Sequence, residues 1–227
     1  MNYVFQFGVV WDNLPRLLAG AWLTLTLSLT SAIAGLALAA VCAFVLSHAP
    51  APLRALVRSY VEIFRNTPFL VQLFVLYFSL PAIGLRMDPN QAAFVGMTLN
   101  FGAYATEIIR AGLGAVSTGQ IEAGRALGLR TLQIFRLVLI PQALRIVYPA
   151  LTSQFVLLML GSSVVAAISA EDLTAYTNSL QSSTFRSFEF YFVATAIYFS
   201  MAMGFRALFA GLHWWMFLRG ARAEGMG

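Results

Sequence analysis

The residues that could carry chemistry in this sequence are few and widely separated. His48 and His213 are its two histidines, and neither has a second metal-ligating side chain close by in sequence. Glu171 and Asp172 are adjacent carboxylates, and sequence neighbours do not share a helix face. No Ser–His–Asp order is supported, and because all 14 basic residues are Arg, a phosphate-binding loop has no lysine to use. We therefore predict no catalytic residue, no metal site and no cofactor in this chain, so energy for any driven process must come from a partner.

One polar stretch, residues 117–141, interrupts an otherwise apolar chain. Ser117 followed three residues later by Gln120 matches a capping box, which marks the start of a helix. Gly128 favours the left-handed conformation that ends a helix. Thr131 could cap a second helix that leads back to the apolar part of the chain. The stretch therefore predicts a short helix, a turn and a returning helix, which together would form a docking element.

Three motifs in this chain resemble those of a known family. In the polar stretch, Glu122-Ala123-Gly124, three residues, Gly128, nine residues and then VLIP (138–141) is similar to the EAA loop of ABC importer permeases. Gly124 stands where that loop has its second Ala, and Val and Ile at 138 and 140 replace its usual Ile and Leu. Residues 65–72 (RNTPFLVQ) and 103–112 (AYATEIIRAG) resemble two segments of the polar amino-acid uptake branch.

This resemblance implies a role and a set of partners. Permeases of this family pair with separate ABC ATPase subunits, which bind ATP and Mg, and receive solute from an extracytoplasmic solute-binding protein. The chain would then be a multi-pass permease of the bacterial inner membrane that moves a polar amino acid or a derivative, paired with a second copy or a paralogue. The implied ATPase contact consists of Glu122, Ala123, Gly124, Ala126, Leu127 and Gly128.

Composition places the chain in a lipid bilayer. Of its 227 residues 59% are hydrophobic and 10% are charged, with a mean hydropathy of +0.77, whereas soluble domains average about 25% charged residues. We expect an all-α integral membrane bundle of about five helices, forming one domain over residues 1–227 with an amphipathic lead-in at residues 1–16. The predicted spans are Leu17–Ser47, Tyr60–Ile83, Gln91–Ile109, Ile146–Ile168 and Phe190–Phe209, with a polar connector at His48–Ser59 and a polar outer loop at Thr174–Phe188.

The second predicted span is interrupted. Pro68 removes a backbone donor and biases Thr67 away from helix, and irregular backbone at membrane depth needs protein or water around it. Such a break indicates a transport site or a moving joint. The alternative is a helix that begins at Phe69 and leaves Arg65 at the interface. Uncharged polar side chains near this depth are the candidate substrate pathway: Asn66, Thr67, Gln72, Asn100, Ser162 and Ser163.

The acidic residues near span ends have two interpretations each. Glu107 and Arg110 lie one turn apart at the end of the third span, which predicts an ion pair that anchors the helix. Glu171 and Asp172 follow the fourth span and resemble the family's xxDL position, and one interpretation is that they face the outer vestibule. The alternative for Glu171 and Asp172 is a pair of solvated loop charges.

Arginine positions predict the orientation. With the N-terminus outside, five spans place eleven arginines at or near the inner face and three outside, namely Arg16, Arg86 and Arg186. Residues 117–141 and the C-terminus would then be cytoplasmic. An interfacial belt and a basic tail would end the chain: Trp214, Trp215, Arg219 and Arg222. Arginines scattered at helix ends explain the pI of 9.8 better than a nucleic-acid partner does.

Other functions fit the sequence less well. An intramembrane enzyme would be favoured by clustered His and acidic residues within spans, which this sequence lacks. A non-transporting membrane scaffold would not need an interrupted span or a docking stretch with a helix stop. A permease for another small solute is the nearer alternative, because the residues do not determine the substrate.

Overall fold

Helices account for the regular structure of the computed structural model, which describes residues 3–218. Apolar runs with few interior breakers favour helix in a bilayer, because a helix satisfies its own backbone polar groups. The elements before the polar stretch are α1 (Gly8–Asp12), α2 (Leu14–His48), α3 (Ala51–Asn66), α4 (Phe69–Phe74, continued by a π turn and a 3₁₀ turn to Ile83) and α5 (Pro89–Gly114).

The second half contains two long helical segments and two shorter helices. α6 (Thr118–Ala126) is followed by α7 (Thr131–Ile134), which runs through a π turn (Phe135–Leu139) into α8 (Ile140–Gly161) and a 3₁₀ turn (Ser162–Ile168). α9 (Leu173–Thr184) and α10 (Ser187–His213) complete the fold, with a final π turn at Trp214–Leu218. The predicted basic tail at Arg219 and Arg222 lies outside the described residues.

Close packing of α2 on α5 forms the centre of the bundle. A Cβ on Gly35 would stand 2.9 Å from the carbonyl oxygen of Thr98 and 3.2 Å from the backbone nitrogen of Gly102. Only a residue without a side chain lets the two backbones approach so closely. Ser31 of α2 also donates to the carbonyl of Phe94 at 3.3 Å, so α2 and α5 run in parallel.

The other long helices pack on this pair in alternating directions. Gln72 of α4 meets Asn100, whereas Leu73 and Leu76, further along α4, approach Gly96, so α4 runs antiparallel to α5. On the opposite side, the hydroxyl of Tyr148 in α8 donates to the carbonyl of Phe209 in α10 at 2.7 Å, and the ring of Phe155, later in α8, lies 4.7 Å from that of Phe205, earlier in α10, so α8 and α10 run antiparallel. Successive helices of a chain that crosses a membrane repeatedly must run in alternating directions, as they do here.

The polar connector expected at His48–Ser59 is helical over most of its length, because α3 begins at Ala51. Its apolar residues recur at positions 53, 56, 57, 60, 61 and 64, the spacing of one helix face, and Pro52 is tolerated in the first turn. α3 passes through Tyr60, the predicted start of the second span, without a break, so that boundary stays a prediction. α3 ends at Asn66, α4 begins at Phe69, and the two axes differ by 114°.

The polar outer loop expected at Thr174–Phe188 is wrong over most of its length. α9 covers Leu173–Thr184, because Leu173, Thr177 and Leu180 form one buried face and the polar residues lie on the other. The hydroxyls of Thr177 and Thr184 bond to carbonyls four residues earlier, so part of the polar content is satisfied within the helix. The helix ends at Phe185, which has φ +57°.

Three described helical segments are long and apolar enough to cross a membrane: Leu14–His48, Thr131–Ile168 and Ser187–Phe217. The bent pair Ala51–Asn66 and Phe69–Ile83 makes a fourth if it is counted as one span. The described chain is therefore an all-α, multi-pass membrane bundle, as expected. Five crossings with the N-terminus outside stay a prediction.

Candidate functional site

The polar stretch at residues 117–141 folds as a short helix, a tight stop and a returning helix. Gly128 follows α6 with φ +76°. Its N–H donates to the carbonyl of Arg125 at 2.9 Å, and the N–H of Leu129 donates to the carbonyl of Gly124 at 3.1 Å. These two bonds form a Schellman motif, whose left-handed position favours glycine. The predicted helix stop at Gly128 is confirmed.

Gly124 lies on the buried side of α6 and lets the returning helix pack against it. A Cβ at this position would stand 3.1 Å from Cγ1 of Ile134 and 3.7 Å from Cδ1 of Leu129. Ile134 is 5% exposed, so its side chain is enclosed in this contact. Glycine at position 124, where the EAA loop has alanine, therefore allows the close approach of α6 and α7.

Both helix starts in this stretch differ from the expected caps. Ser117 is the N-cap residue of α6, but its side chain makes no capping hydrogen bond. Gln120 instead accepts a hydrogen bond from Gln142 of α8, so a tertiary contact replaces the local one. The returning helix begins at Thr131, but its cap is Arg130, whose N–H donates to the side chain three residues later at 2.8 Å.

The outer side of α6 is a surface without a covering element in the described chain. Glu122, Ala123 and Ala126 are exposed. Leu127 is 81% exposed and Leu132 of α7 is 75% exposed, although both have large apolar side chains. Apolar side chains next to charged ones, on a rigid and protruding helix, suit a protein partner that would bury them. We call these five residues the α6 surface.

The break between α3 and α4 is held by one buried amide. Gln72, which is 8% exposed, donates through Nε2 to the carbonyls of Phe64 at 2.9 Å and Thr67 at 3.1 Å. The same nitrogen lies 2.9 Å from the Thr67 hydroxyl, and Oε1 accepts a hydrogen bond from Asn100 at 3.0 Å. Gln72 thus pairs carbonyls that the end of α3 leaves without helical partners, and it joins the bend to α5.

The six candidate pathway residues do not all meet. Thr67, Gln72 and Asn100 form the hydrogen-bonded group at the break. Asn66 is exposed and bonds back to the carbonyl of Glu62 at 2.8 Å. Ser162 and Ser163 bond to carbonyls three residues earlier, at 2.7 and 2.9 Å, in the 3₁₀ segment that packs on α4. Their pathway role stays a prediction.

The expected ion pair at Glu107 is confirmed and extends to a third residue. Arg110 donates through Nε at 3.1 Å and Nη2 at 2.8 Å to the two carboxylate oxygens of Glu107. Nη1 of Arg65 approaches the same carboxylate at 3.7 Å, and its guanidinium lies 5.6 Å from the centre of the Tyr104 ring. The two segments that resemble the amino-acid uptake branch, residues 65–72 and 103–112, are therefore in contact. This contact joins the end of α3 to α5.

Asp172 is a buried helix cap, so the alternative of a solvated loop charge is wrong for this residue. It is fully buried, its Oδ1 accepts from the N–H of Ala175 at 2.8 Å, and its Oδ2 accepts from the hydroxyl of Tyr198 at 3.1 Å. Burial raises the pKa of Asp172 to about 6, against the smaller lowering effect of these hydrogen bonds. The carboxylate joins α9 to α10, since Tyr198 belongs to α10.

Glu171 stands apart from its neighbour. Its side chain is exposed and lines an open cavity of about 750 Å³ together with Asp88, Thr30 and Ser169. Asp88 caps α5, where its side chain accepts from the N–H of Gln91 at 2.9 Å. The vestibule role proposed for Glu171 and Asp172 stays a prediction. The two carboxylates have different surroundings, since Glu171 is exposed and Asp172 is buried.

Sequence reasoning missed the buried carboxylate of Glu189. Its Oε2 accepts from the hydroxyl of Tyr3 at 2.5 Å, and its Oε1 accepts from the N–H of Gln6 at 2.9 Å. Arg186, one turn earlier, lies 3.8 Å away and donates to the carbonyl of Val4 at 3.1 Å. The lead-in is therefore fastened to the start of α10. The signal in the sequence was an acidic residue beginning an apolar helix.

Comparison with known proteins places this architecture in a family. The model of binding-protein-dependent transport system inner membrane components matches residues 31–213, which include α6, its glycine stop and the α3–α4 break. The chain belongs to this family. The family assignment drawn from the three motifs is confirmed.

Individual relatives agree with the assignment over most of the chain. A probable glutamine ABC transporter permease of Bacillus subtilis is 35% identical over 190 residues, covering 84% of this chain and 88% of the relative. An octopine transport system permease of Rhizobium meliloti is 35% identical over 214 residues, covering 90% and 87%. A chain in the crystal structure of an amino acid ABC transporter with histidines is 34% identical with a TM-score of 0.87, covering 93% and 99%.

Proposed function

We propose that this chain is the membrane-spanning subunit of an ATP-driven importer that moves an amino acid or amino-acid derivative across the bacterial inner membrane. The α6 surface is the observation that carries the proposal. A short helix with a glycine stop exposes Leu127 and Leu132 beside Glu122, and after that stop α7 continues without a break through a π turn into α8. Movement of a partner bound there would be passed directly to α8.

The substrate class rests on the relatives. The names of the relatives reported above and of a nopaline permease refer to glutamine, octopine and nopaline, which are all amino acids or their derivatives. In this chain the polar group of Thr67, Gln72 and Asn100 has uncharged donors and acceptors near the α3–α4 break. Such groups can hydrogen-bond the polar atoms of an amino acid.

Several finer features belong to the proposal. The chain crosses the membrane five times, with its N-terminus outside and its C-terminus and α6 in the cytoplasm. It pairs with a second copy or a paralogue, with ABC ATPase subunits at the α6 surface and with an extracytoplasmic binding protein on the side of Glu171. The Arg distribution supports this orientation, and the alternating helix directions support repeated crossing.

A charge reversal tests the docking role of α6. We expect Glu122→Lys to release the ATPase subunit or to uncouple ATP hydrolysis from uptake, because the exposed carboxylate would no longer pair with a basic group of the partner. Glu122→Gln is the matched control for the helix-start role, and we expect it to change the stability of the chain little. Normal uptake and normal ATPase binding by Glu122→Lys would contradict the proposal.

A cross-link tests proximity directly. Cys42 is buried and is the one cysteine of the sequence, so the Cys42→Ala background with Ala126→Cys carries a single exposed thiol on α6. We expect it to cross-link to the ATPase subunit, with a yield that differs between nucleotide-free and ATP-bound complexes. Absence of a cross-link in both states, together with ATP-driven uptake, would remove α6 from the coupling role.

Robust ATP hydrolysis by the purified chain alone would refute dependence on a partner.

A further inference from the structure

A polar cleft of about 350 Å³ opens between α8 and α10, away from both the α6 surface and the α3–α4 break. Its polar lining consists of Tyr148, Thr152 and Ser153 from α8 and Arg206 and His213 from α10. Tyr148 holds the two helices together there, since its hydroxyl donates to the carbonyl of Phe209 at 2.7 Å. Ser153 is exposed at the cleft, so its hydroxyl can donate to a bound molecule.

The cleft carries basic charge without an acidic counterpart. Arg206 makes no salt bridge among the described residues, whose ion pairs lie at Glu107 and Glu189. Across the described lengths of α8 and α10, Glu189 is the one acidic residue, and it lies at the opposite end of α10 from His213. Arg145 adds a further guanidinium beside this region, 5.9 Å from the centre of the Phe217 ring.

The tryptophans after α10 indicate how deep in the membrane the cleft lies. Trp214 and Trp215 are 50% and 60% exposed, as expected of side chains at a membrane interface. Arg206 precedes His213 by two helical turns, so it lies about 10 Å along the axis on the hydrocarbon side of that belt. A guanidinium at this depth needs an anionic partner, and its long side chain can reach towards the headgroup level.

Apolar surface adjoins the basic lining. Leu157 of α8 is 61% exposed and follows Ser153 by one helical turn, and Met203 of α10 is 37% exposed and precedes Arg206 by one turn. Both therefore lie on the cleft faces of their helices, on the hydrocarbon side of Arg206. A ligand with a phosphate for Arg206 and hydrocarbon chains for these two apolar side chains matches both parts. Basic pockets between transmembrane helices at the cytoplasmic side bind anionic lipid headgroups in this way.

We propose that the α8–α10 cleft binds the headgroup phosphate of an anionic phospholipid of the inner leaflet. Arg206 and His213 face the phosphate, Ser153 donates to one of its oxygens, and the acyl chains lie along Leu157 and Met203. This site is separate from the transport function. Only its assignment to the inner leaflet rests on the orientation proposed above. The bound lipid would fill the space between α8 and α10, which are otherwise joined at this level by Tyr148.

The test measures lipid retention by native mass spectrometry on the full chain purified with its ATPase subunits in neutral detergent. The probes are phosphatidylglycerol, phosphatidylcholine with the same acyl chains, and glycerol 1-phosphate. We expect one phosphatidylglycerol to be retained per copy of the chain in preference to phosphatidylcholine, and no retention of glycerol 1-phosphate. Equal retention of the two lipids, or displacement of phosphatidylglycerol by glycerol 1-phosphate at equal concentration, would overturn the proposal.

Three variants locate the site. We expect Arg206→Gln to weaken phosphatidylglycerol retention by about fivefold, the effect of one arginine near an anionic headgroup. Arg54→Gln is the matched control, because it removes the same charge from an exposed position on α3 that lines no part of the cleft. Ser153→Leu fills the cleft while keeping every arginine, and it should also reduce retention.

The outcomes of these variants separate the lipid site from general charge and from transport. If Arg54→Gln and Arg206→Gln weaken retention equally, the effect is general surface charge and the specific cleft is refuted. If both Arg206→Gln and Ser153→Leu retain the lipid as the unaltered chain does, the proposal is also refuted. Lipid retention is measured without uptake, so a failure of the transport assignment would leave this result readable by itself.

Discussion

Replacing Gly128 by Val tests whether the stop after α6 must be rigid. Gly128 has φ +76°, and no neighbouring atom lies within 4 Å of the position that a Cβ would occupy. The substitution therefore introduces strain without a steric clash with another residue. For a residue with a side chain the left-handed conformation costs about 1–2 kcal/mol, and a β-branched residue is at the upper end.

The structure predicts where this strain is released. The turn can leave the left-handed conformation only by breaking the bonds from Gly128 to Arg125 and from Leu129 to Gly124. Since 1.4 kcal/mol is a factor of ten in an equilibrium constant, about 1–2 kcal/mol raises the population of the broken turn roughly fivefold to thirtyfold. α6 would then lose its fixed angle to α7.

Gly84 provides a control with the same strain at a distant site. It has φ +87°, and the space around its Cβ position is likewise open to 4 Å, but it lies in the turn before α5. Gly84→Val should therefore cost about the same free energy as Gly128→Val. The assay reconstitutes each variant with its ATPase subunits in liposomes and measures ATP hydrolysed per solute transported, together with the unfolding temperature in detergent.

The two variants should differ in coupling and agree in stability. We expect the unfolding temperature to fall by a similar amount in both, whereas only Gly128→Val should raise the ATP hydrolysed per solute transported. If Gly128→Val transports with unchanged coupling while its unfolding temperature falls as expected, coupling does not require the rigid stop. That result would refute the role inferred from the Schellman motif.

Three further predictions concern the interior of the bundle. Gln72→Leu should lower the free energy of unfolding by about 2–4 kcal/mol, because it leaves carbonyls at the α3–α4 break and the amide of Asn100 without partners; chemical denaturation in detergent measures this loss. Gly112→Ala should destabilise the chain by about 1–3 kcal/mol, because its Cβ would lie 2.0 Å from Cγ1 of Val147, whereas Gly204→Ala, with open space, should be neutral or stabilising in the same thermal assay. The pKa of about 6 at Asp172, against an ordinary 3.8, means that the folded state holds this proton more tightly than the unfolded state. The free energy of unfolding should then fall as pH rises from about 4 to above 6, by up to about 3 kcal/mol, and Asp172→Asn should remove this part of the pH dependence.

The polar stretch at residues 117–141 was the best predicted part of the fold because its signals are local. A glycine that favours the left-handed conformation, an acidic residue and a polar run between apolar ones are all visible without knowing the fold. The caps were predicted less well, since Gln120 bonds to Gln142, a residue 22 positions away. A side chain with a tertiary partner need not make the local bond that its spacing favours.

The pathway candidates show the opposite situation. Polarity near Pro68 correctly marked an irregular backbone, but it did not reveal that the amide of Gln72 is occupied by the end of α3 and by Asn100. Which polar groups pair with one another depends on distances between helices. Spacing along one chain segment does not contain these distances.

The sequence by itself determined the class of the protein, its helical membrane character and the position of the glycine stop after α6, because hydrophobic run length, charge and glycine conformation are properties of short segments. The tertiary structure alone decided that α3 turns through 114° before α4, that Asp172 is buried against Tyr198, and that Glu189 fastens the lead-in through Tyr3. The energy of a buried polar or charged group depends on its partners and on its removal from water. Those are set only when distant segments pack together.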